Sequence, residues 1–462
     1  MKLVPASHSP DCVICKQHLD FELPKELLTE ILSGQFALFA GAGISQELPE
    51  AGSPTFYSSI LDSLGLEKAI PFPDLMEKFC GQTNGRLKLL SRIKDHFDKI
   101  NSFSELRRYA TRFHHEIATF FPLQTIVTTN WDTFFEDVCA ATPFVTPMDL
   151  AFWNAPGRKV LKIHGSLSNY GSIIATSSDY KKRKRELDKS VFGSTLKHIL
   201  ATQTVIFAGY SCRDSDFLSI YQMIRKELGL LHKQAYILTL DFDSDERYRE
   251  LGLVPIYTDA TYFFSIIKEH AAHDTNHYLP DKIYDEVEKS LFITRKVHHK
   301  LLETVDFNKH TDALFSVFYQ DGLIHGFDRI LNKRCTGTYS HTCDIIAQVD
   351  LYKKILKQMR KKRRYDDVAY IEGYLNAIRF PVLFEDVDFT YEDVPLFFGF
   401  GIDEDIMSLS EYLAALPNLA SSHKAAHRRS MQIAKHFSTL KDIVPHHPPI
   451  ISMDLEPLGI HE

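Results

Sequence analysis

The chain has 462 residues, more than one typical domain, so its length predicts two domains that each bury an apolar core. Apolar residues make up 44% of the chain and charged residues 24%, as in an ordinary soluble globular protein. The net charge of −7 gives no overall attraction to nucleic acid or anionic lipid, so any site for a polyanion must be local.

Residues 1–30 precede the first regular pattern and are expected to form a leader. Beyond them, short apolar runs alternate with segments of helical spacing. The apolar runs predict strands over 35–40, 125–129, 160–163, 204–208, 235–240 and 254–257. The helical spacing predicts helices over 87–99, 104–120, 190–201, 217–228 and 245–251. This alternation predicts an α/β fold: a Rossmann-like parallel sheet with helices on both faces and a small helical insertion.

From about residue 273 the alternation stops, and amphipathic segments rich in Lys, Glu, Tyr and Leu follow. Their spacing predicts helices over 285–304, 311–332, 345–377 and 409–442. The Pro-rich residues from Val444 onward look like an extended tail. We therefore expect one domain over 31–272 and a mainly helical C-terminal domain over 273–462.

A glycine turn follows the first predicted strand, at Gly41-Ala42-Gly43-Ile44-Ser45. Two glycines let the backbone approach a ligand without a Cβ in the way, and the amide groups that follow can face a pyrophosphate. Gln46 stands where the usual dinucleotide fingerprint has its third glycine. On its own, this turn is equally consistent with a phosphate site and with a tight turn that binds nothing.

Polar motifs follow three further predicted strands: Thr129-Asn130-Trp131-Asp132, His164-Gly165-Ser166 and Gly209-Tyr210-Ser211. The carboxyl ends of parallel strands share one edge of the sheet, so all four turns should converge there. Ligands of open α/β sheets bind at that edge. The four motifs together predict a nucleotide site.

In this order, the motifs resemble those of the sirtuin (silent information regulator) family of NAD-consuming enzymes, over residues 31–272. The family's phosphate loop matches 41–45, its Thr-x-Asn-x-Asp element resembles 128–132, its catalytic His-Gly matches 164–165, and its late Gly-x-Ser matches 209–211. The resemblance implies that residues 31–272 form a sirtuin-like domain that binds NAD as substrate.

Two departures separate the chain from the protein deacylases of that family. The deacylase segment Gly-Ile-Pro-Asp-Phe-Arg corresponds to 52–57 here, where the Asp and Arg are replaced by Thr55 and Tyr57. Deacylases carry a four-cysteine zinc module after the catalytic His, but no cysteine lies between His164 and Gly209. The sequence is more similar to the branch of prokaryotic antiviral (anti-phage) defence, whose domains hydrolyse NAD; the acidic Asp214-Ser215-Asp216 after Ser211 fits that branch in particular.

Cleavage of the nicotinamide bond builds positive charge on the ribose, while nicotinamide leaves readily without a strong acid. The resemblance then implies catalytic roles for His164, as acceptor of a proton, and Asn130, as the group that positions water or a ribose hydroxyl. Asp132 would orient its neighbours or favour the cation, and Phe56 would cover the nicotinamide. The remaining residues expected to bind NAD are Gly41, Ala42, Gly43, Ser45, Thr129, Gly209 and Ser211.

Several structural alternatives stay open. Asn130 and Asp132 are also suited to cap a helix beginning near Thr133, and Asp214 and Asp216 to cap the helix near Phe217. Two groups have part of the spacing of a zinc site: Cys12 and Cys15 with His8 and His18, and Cys335 with His341 and Cys343. Neither is a complete local ligand set, so we expect no metal. The basic runs at 181–185 and 360–364 predict solvated helix faces, and direct binding of nucleic acid is not expected.

The seven cysteines are odd in number and sparse, which favours reduced thiols in a reducing compartment. Residues 1–10 lack a signal-peptide pattern, and no apolar run is long enough to cross a bilayer, so we expect a cytoplasmic protein without membrane contact. The leading hypothesis is an NAD hydrolase that depletes cellular NAD as an antiviral effector. A protein deacylase and a non-catalytic nucleotide-sensing module are the alternatives. The resemblance further implies a homo-oligomer, and a HerA-like ATPase or a short Argonaute as partner.

Overall fold

The computed structural model describes residues 21–45, 55–212, 215–275, 278–386, 390–437, 440 and 443–450. By its internal contacts the chain divides into two compact units, Met1–Asp274 and Thr275–Glu462. The predicted domain boundaries near residues 30 and 272 stay predictions. Within the described part of the chain, no helix is both long and apolar enough to span a bilayer.

The first unit is built on one parallel sheet. Its strands among the described residues are β1 (Phe36–Ala40), β2 (Thr125–Thr128), β3 (Thr142–Phe144), β4 (Lys159–Lys162), β5 (Thr204–Ala208), β6 (Ala235–Thr239) and β7 (Leu253–Tyr257). They lie in the order β3-β4-β2-β1-β5-β6-β7, with every pairing parallel. The predicted Rossmann-like sheet is confirmed. β3 escaped prediction because it is three residues long and contains Pro143, which is tolerated only at an edge.

Helices of the first unit cover both faces of the sheet. They are α1 (Lys25–Leu32), α2 (Phe56–Ser63), α3 (Phe72–Cys80), α4 (Gly85–Ser102), α5 (Ser104–Ala110), α6 (Arg112–Ala118), α7 (Phe134–Cys139), α8 (Ser177–Lys189), α9 (Val191–Thr202), α10 (Ser215–Leu228), α11 (Asp245–Glu250) and α12 (Ala260–Thr275). All five residues of β1 are buried, because side chains of alternate residues enter two different layers.

The two layers are visible at β1. Phe39 packs with Phe207 in the layer that contains α9 and α10. Phe36 contacts Phe120 on the opposite face, and Phe120 contacts Phe264 of α12. Helices α2 to α4 lie between β1 and β2 in the sequence and form the predicted helical insertion. They have their own cluster of buried residues. The sheet is therefore covered on both sides, and its strand ends are where polar groups are presented.

The second unit is helical, as predicted. Its helices are α13 (Lys282–Thr304), α14 (Ala313–Lys333), α15 (Thr342–Lys362), α16 (Tyr365–Asp386), α17 (Leu409–Ala415), α18 (Leu419–Ser422) and α19 (Lys424–His436). Small residues bring α14 and α16 together: a Cβ added at Gly322 would lie 2.0 Å from the carbonyl oxygen of Tyr370, and one at Gly373 would lie 1.9 Å from that of Tyr319. The two helix backbones therefore touch where a side chain would separate them.

Three predicted helices are wrong in extent. The helix expected over 104–120 is interrupted at Thr111, whose backbone leaves the helical region. The one expected over 345–377 turns at Arg363, which has a φ of 57°. The one expected over 409–442 is three short helices, with breaks at 416–418 and at His423. The first two breaks carry no Gly or Pro, so turn residues gave no warning of them.

His114 of α6 is fully buried between aromatic rings of the first unit. Its ring centroid lies 4.6 Å from that of Phe135 and 5.5 Å from that of Phe134. Burial lowers the pKa of His114 from 6.5 to about 3, because the charged imidazolium is poorly solvated there. The folded unit therefore holds this ring neutral down to low pH.

We expect His114→Leu to weaken the pH dependence of stability. As the pH falls below 6.5, the unfolded chain protonates His114 while the folded chain does not until about 3. The wild type should lose up to about 1.4 kcal/mol of unfolding free energy per pH unit in that window through this group. Trp131 and Trp153, the two tryptophans, both lie in the first unit, so their fluorescence during urea unfolding at several pH values reports on it.

The exposed neighbour His115, changed to Leu, is the control and should alter the pH slope less than His114→Leu does, because burial is the main cause of the lowered His114 pKa. An equal pH slope in the wild type and His114→Leu would contradict the assignment.

Candidate active site

The four motifs follow four strands that are adjacent in the sheet, β4-β2-β1-β5. The parallel register aligns their ends: Ala40 pairs with Thr128 and with Ala208, and Thr128 pairs with Lys162. Strand order reverses on the two sides of β1, because β2 and β4 lie to one side and β5 to the other. Crevices at such reversals are where open α/β sheets bind ligands. The predicted convergence at one edge is thus present in the structure.

The glycine turn packs directly against the backbone after β5. Gly41 N–H donates to the Ala208 carbonyl at 2.9 Å, and Gly43 N–H donates to the Gly209 carbonyl at 2.8 Å. A Cβ on Gly209, which has a φ of 60°, would lie 2.3 Å from the Ile44 nitrogen. Ala42 and Gly43 are exposed, and 42–45 form one short 3-10 turn. Gly209 thus lets the backbone after β5 contact the glycine turn after β1 directly.

Ser45, Asn130 and Asp132 form a chain of long hydrogen bonds. The Asn130 Nδ2 donates to Ser45 Oγ at 3.4 Å, and Ser45 Oγ donates to Asp132 Oδ2 at 3.5 Å. The Asn130 side chain is buried, and its Oδ1 has no hydrogen-bond partner among the described residues. A buried amide oxygen without a partner is costly unless a ligand or water completes it.

The Thr128 side chain fixes the backbone of Asn130. Its hydroxyl donates to the Ala40 carbonyl at 2.9 Å and accepts the backbone N–H of Asn130 at 3.0 Å. Thr129 is half-exposed at the edge, and its N–H donates to Ala40 at 3.3 Å. The Thr-Thr-Asn step therefore ties the end of β2 to the end of β1.

Asp132 both caps a helix and reaches the site. Its Oδ1 accepts the N–H of Phe134, the first residue of α7, at 3.1 Å, while Oδ2 faces Ser45. Burial raises the pKa of Asp132, and the nearby Lys162 ammonium opposes that rise. One carboxylate oxygen thus caps α7 and the other contacts Ser45, while the role of Asp132 in NAD binding stays a prediction.

Lys162 is a buried cation that contacts the loop carrying Asn130 and Asp132. It is the last residue of β4, and its ammonium donates to the Asp132 carbonyl and to Glu136 Oε1, the latter at 3.0 Å. The Lys162 side chain is 0% exposed. Burial also raises the pKa of the Glu136 carboxyl, and the Lys162 ammonium opposes that rise. A paired buried cation fixes the loop that carries Asn130 and Asp132.

His164 is buried at the end of β4, beside the β2 motif. Its Nδ1 lies 3.5 Å from the Tyr180 hydroxyl, and the two rings are 4.8 Å apart. Gly165 has a φ of 85°, and a Cβ there would lie 2.1 Å from the Ser172 carbonyl oxygen. The Leu167 N–H donates to the Trp131 carbonyl at 2.8 Å, so the His-Gly turn and the Asn130 loop are joined.

Aromatic rings line the side of the site formed by the helical insertion. Phe56, the first residue of α2, lies edge-on to Trp131 with ring centroids 6.4 Å apart, and Phe72 lies 5.9 Å from Trp131. Phe56 and Trp131 are both half-buried. The structure therefore brings Phe56 to the residue that follows Asn130, as a cover over the site would require.

The remaining predicted residues are exposed, lie outside the described residues or lie in other contacts. Ser211 is exposed after the buried Tyr210. Residues 52–54 and Asp214 lie outside the described residues, as do His8, Cys12, Cys15 and His18; Asp216 is the second residue of α10. Helices α8 and α9 occupy the stretch where deacylases have their zinc module. There Arg183, expected on a solvated face, has a side chain only 11% exposed, stacks over Phe192 and donates to the Ile163 carbonyl at 2.8 Å; that prediction is wrong for this residue.

Sequence reasoning missed Lys162, Glu136 and Tyr180, and it found Thr128 only as part of the motif at 128–132, without a role of its own. A signal for Lys162 was present, since it is a charged residue at the end of an otherwise apolar run. Glu136 lies four residues after Asp132, on the helix expected to begin near Thr133, but the sequence did not indicate its pairing with Lys162. The contact of Tyr180 with His164 and that of Gly209 with the glycine turn both depend on long-range packing, for which the local sequence carries no signal.

Part of the chain that carries these strand ends is similar to a known domain family. Residues 124–267 match the family described as the SIR2-like domain. Three proteins, each named "NAD(+) hydrolase ThsA", are similar to this chain. The one from Enterococcus faecium is 27% identical over 247 residues, 49% of this chain and 50% of its own. The one from Bacillus cereus (strain MSX-D12) is 22% identical over 46% of this chain and 45% of its own. The one from Acinetobacter baumannii (strain 532279) is 25% identical over 48% and 47%. The chain spans about half the length of these relatives.

We expect Gly209→Ala to destabilise the first unit more than Gly229→Ala does. Both glycines have a positive φ, so each alanine should cost about 1–2 kcal/mol. Only at position 209 would the methyl also meet backbone, while nothing lies within 4 Å of a Cβ at Gly229. Overpacking should add about 1–3 kcal/mol at Gly209. Urea unfolding followed by tryptophan fluorescence measures both variants, and equal losses would show that the contact does not constrain the turn.

Proposed function

We propose that the SIR2-like unit hydrolyses the bond between nicotinamide and ribose in NAD, releasing nicotinamide and ADP-ribose. One observation carries this proposal: the buried Asn130 Oδ1 stands without a partner among the described residues, at the strand edge shared by the glycine turn and His164. The relatives named as NAD(+) hydrolases support the choice of NAD over other dinucleotides.

The pyrophosphate of NAD would bind at 41–45 beside Gly209. Ala42 and Gly43 are exposed and carry at most a methyl, so a phosphate can approach their backbone closely. The Ser45 hydroxyl now bridges Asn130 and Asp132 through long contacts of 3.4 and 3.5 Å. Such weak bonds are readily exchanged for a bond to a ligand oxygen.

The ribose would lie between Asn130 and His164. Asn130 Oδ1 is an acceptor, and it would take a hydrogen bond from the attacking water or from a ribose hydroxyl. His164 would accept a proton from the same group as the glycosidic bond breaks. Asp132 would act through Ser45 and Asn130, because both of its oxygens already accept hydrogen bonds. Phe56 and Trp131 would cover the departing nicotinamide.

For the whole protein, we propose an antiviral effector of the cytoplasm that depletes NAD and thereby stops the infected cell. The resemblance to prokaryotic defence proteins supports this role, and the helical unit would drive homo-oligomer assembly or bind a partner such as a HerA-like ATPase or a short Argonaute. Thr55 and Tyr57 in place of the deacylase Asp and Arg favour hydrolysis over deacylation.

We expect Asn130→Ala and His164→Ala to lower NAD turnover by about 10²-fold or more each, because one loses the positioning amide and the other the proton acceptor. Nicotinamide and ADP-ribose release from purified full-length protein is the measurement. Asn101→Ala and His198→Ala, at exposed positions of the same unit, are matched controls that should keep wild-type turnover.

No NAD loss by the wild type, even at high protein concentration and with candidate partners added, would overturn the hydrolase proposal. Undiminished turnover in both variants would overturn the residue roles alone. An acetyl-lysine peptide included in the reaction separates the alternative: hydrolysis predicts free ADP-ribose, whereas deacylation predicts acyl-ADP-ribose.

Assembly has its own test. Light scattering on the same sample should give a mass that is a multiple of 53.0 kDa if the helical unit drives self-association. A strict monomer across the concentrations that support turnover would contradict that role.

A further inference from the structure

Two histidines and an aspartate from distant parts of the sequence meet in the helical unit. His298 lies on α13, Asp321 on α14, and His446 in the extended segment 443–450. One ligand atom from each lies within 4.8 Å of the other two. His446 Nδ1 is 3.0 Å from Asp321 Oδ1, and His298 Nε2 is 4.0 Å from the same oxygen. Because the three residues are far apart in the sequence, no local motif indicated the group.

The hydrogen bonds of His298 fix which of its nitrogens carries the proton. Its Nδ1 is 3.0 Å from Gln320 Oε1, while Gln320 Nε2 donates to the Leu396 carbonyl at 2.8 Å. Because the Gln320 nitrogen is committed to Leu396, its oxygen faces His298 and must accept the Nδ1 proton. The Nε2 lone pair of neutral His298 therefore points toward the Asp321 carboxylate. Metal-binding histidines are oriented in this way by a bond from their other nitrogen.

Asp321 is likewise held in orientation. Its Oδ2 accepts the backbone N–H of His447 at 2.8 Å, which leaves Oδ1 directed at both imidazoles. The Asp321 side chain is only 8% exposed, and that of His298 only 12%. A buried carboxylate oxygen facing a buried imidazole lone pair is an arrangement that a cation between them stabilises.

We propose that His298 Nε2, Asp321 Oδ1 and His446 Nδ1 bind a divalent transition-metal ion of the zinc class. Two imidazoles and one carboxylate are the ligand types of such ions, and a water would complete a tetrahedron. Bonds of about 2.0–2.1 Å place tetrahedral ligand atoms roughly 3.4 Å apart. The His298 Nε2–Asp321 Oδ1 distance of 4.0 Å would shorten and the His446 Nδ1–Asp321 Oδ1 distance of 3.0 Å would lengthen, each by less than about 1 Å. The His446 side chain is 51% exposed and has room to make that adjustment.

The ion would fasten the segment 443–450 to α13 and α14. The same segment is held by the Tyr352 hydroxyl, which donates to the Ile450 carbonyl at 2.8 Å, and by His447 Nε2, 3.1 Å from Asp367 Oδ1. It also forms one wall of a cavity of about 700 Å³ whose other walls include Phe318, Met359 and Arg429. Metal binding would therefore keep that wall in place.

The test uses the full chain, stripped of metal by a chelator, with Cys12, Cys15, Cys335 and Cys343 each changed to Ser to remove the cysteines of the other two candidate groups. Calorimetric titration with zinc chloride should show one saturable site. His298→Gln and His446→Gln should each weaken the affinity at least tenfold. His299→Gln, whose side chain is 78% exposed beside His298, is the matched control and should bind as the parent does. Replacing zinc with cobalt(II) should give the visible absorption of a tetrahedral site.

An ordinary ion pair between His446 and Asp321 is the competing explanation, and His298 distinguishes the two. The ion pair does not need the His298 lone pair, whereas the metal site does. Zinc should slow trypsin cleavage between residues 435 and 450 in the parent but not in His298→Gln, as followed by mass spectrometry. Circular dichroism checks that each variant keeps its helices. Absence of a saturable zinc site in the parent, or undiminished affinity in both glutamine variants, would overturn the proposal.

Discussion

The backbone contact between Gly43 and Gly209 is the constraint on which the first unit's site depends. The 2.8 Å hydrogen bond between them joins the ends of β1 and β5, the neighbouring strands at which the strand order changes sides. Any side chain at Gly41, Gly43 or Gly209 would push these turns apart, since an added Cβ would lie 2.3–2.8 Å from backbone atoms. The turn after β1 is therefore held open toward solvent with no side chain larger than a methyl at Ala42 and Gly43. That is the shape a pyrophosphate needs.

Around this contact, buried polar groups set the positions of the side chains that would do the chemistry. Lys162 pairs with Glu136 and donates to the Asp132 carbonyl. Asp132 accepts the N–H of Phe134, the first residue of α7, and a hydrogen bond from Ser45, which in turn accepts one from Asn130. Two acceptors of this network have no partner among the described residues, Asn130 Oδ1 and Glu136 Oε2. A buried polar network costs stability unless it is complete, and Asn130, which donates to Ser45 of the glycine turn, is where substrate or water would bind.

The sequence was sufficient for the sheet and for the four strand ends, because buried strands read as unbroken apolar runs and their ends as polar turns. It was insufficient where long-range packing determines the bounds of an element or a contact between distant residues. Thr142–Phe144 is too short and contains Pro143, and α15 ends at Arg363 without a turn residue to mark it. Gly209 was found as part of a motif, but its backbone contact with Gly43 joins residues far apart in the sequence. The group of His298, Asp321 and His446 has no local spacing at all.

The central claim is that the four strand ends form one NAD site, and a crystal structure of the full chain with bound ADP-ribose tests it most directly. The account predicts the pyrophosphate against residues 41–45 beside Gly209, with the distal ribose between Asn130 and His164 and Phe56 near the space that nicotinamide leaves. Well-ordered ADP-ribose bound only elsewhere, for example in the cavity of the helical unit, would contradict it.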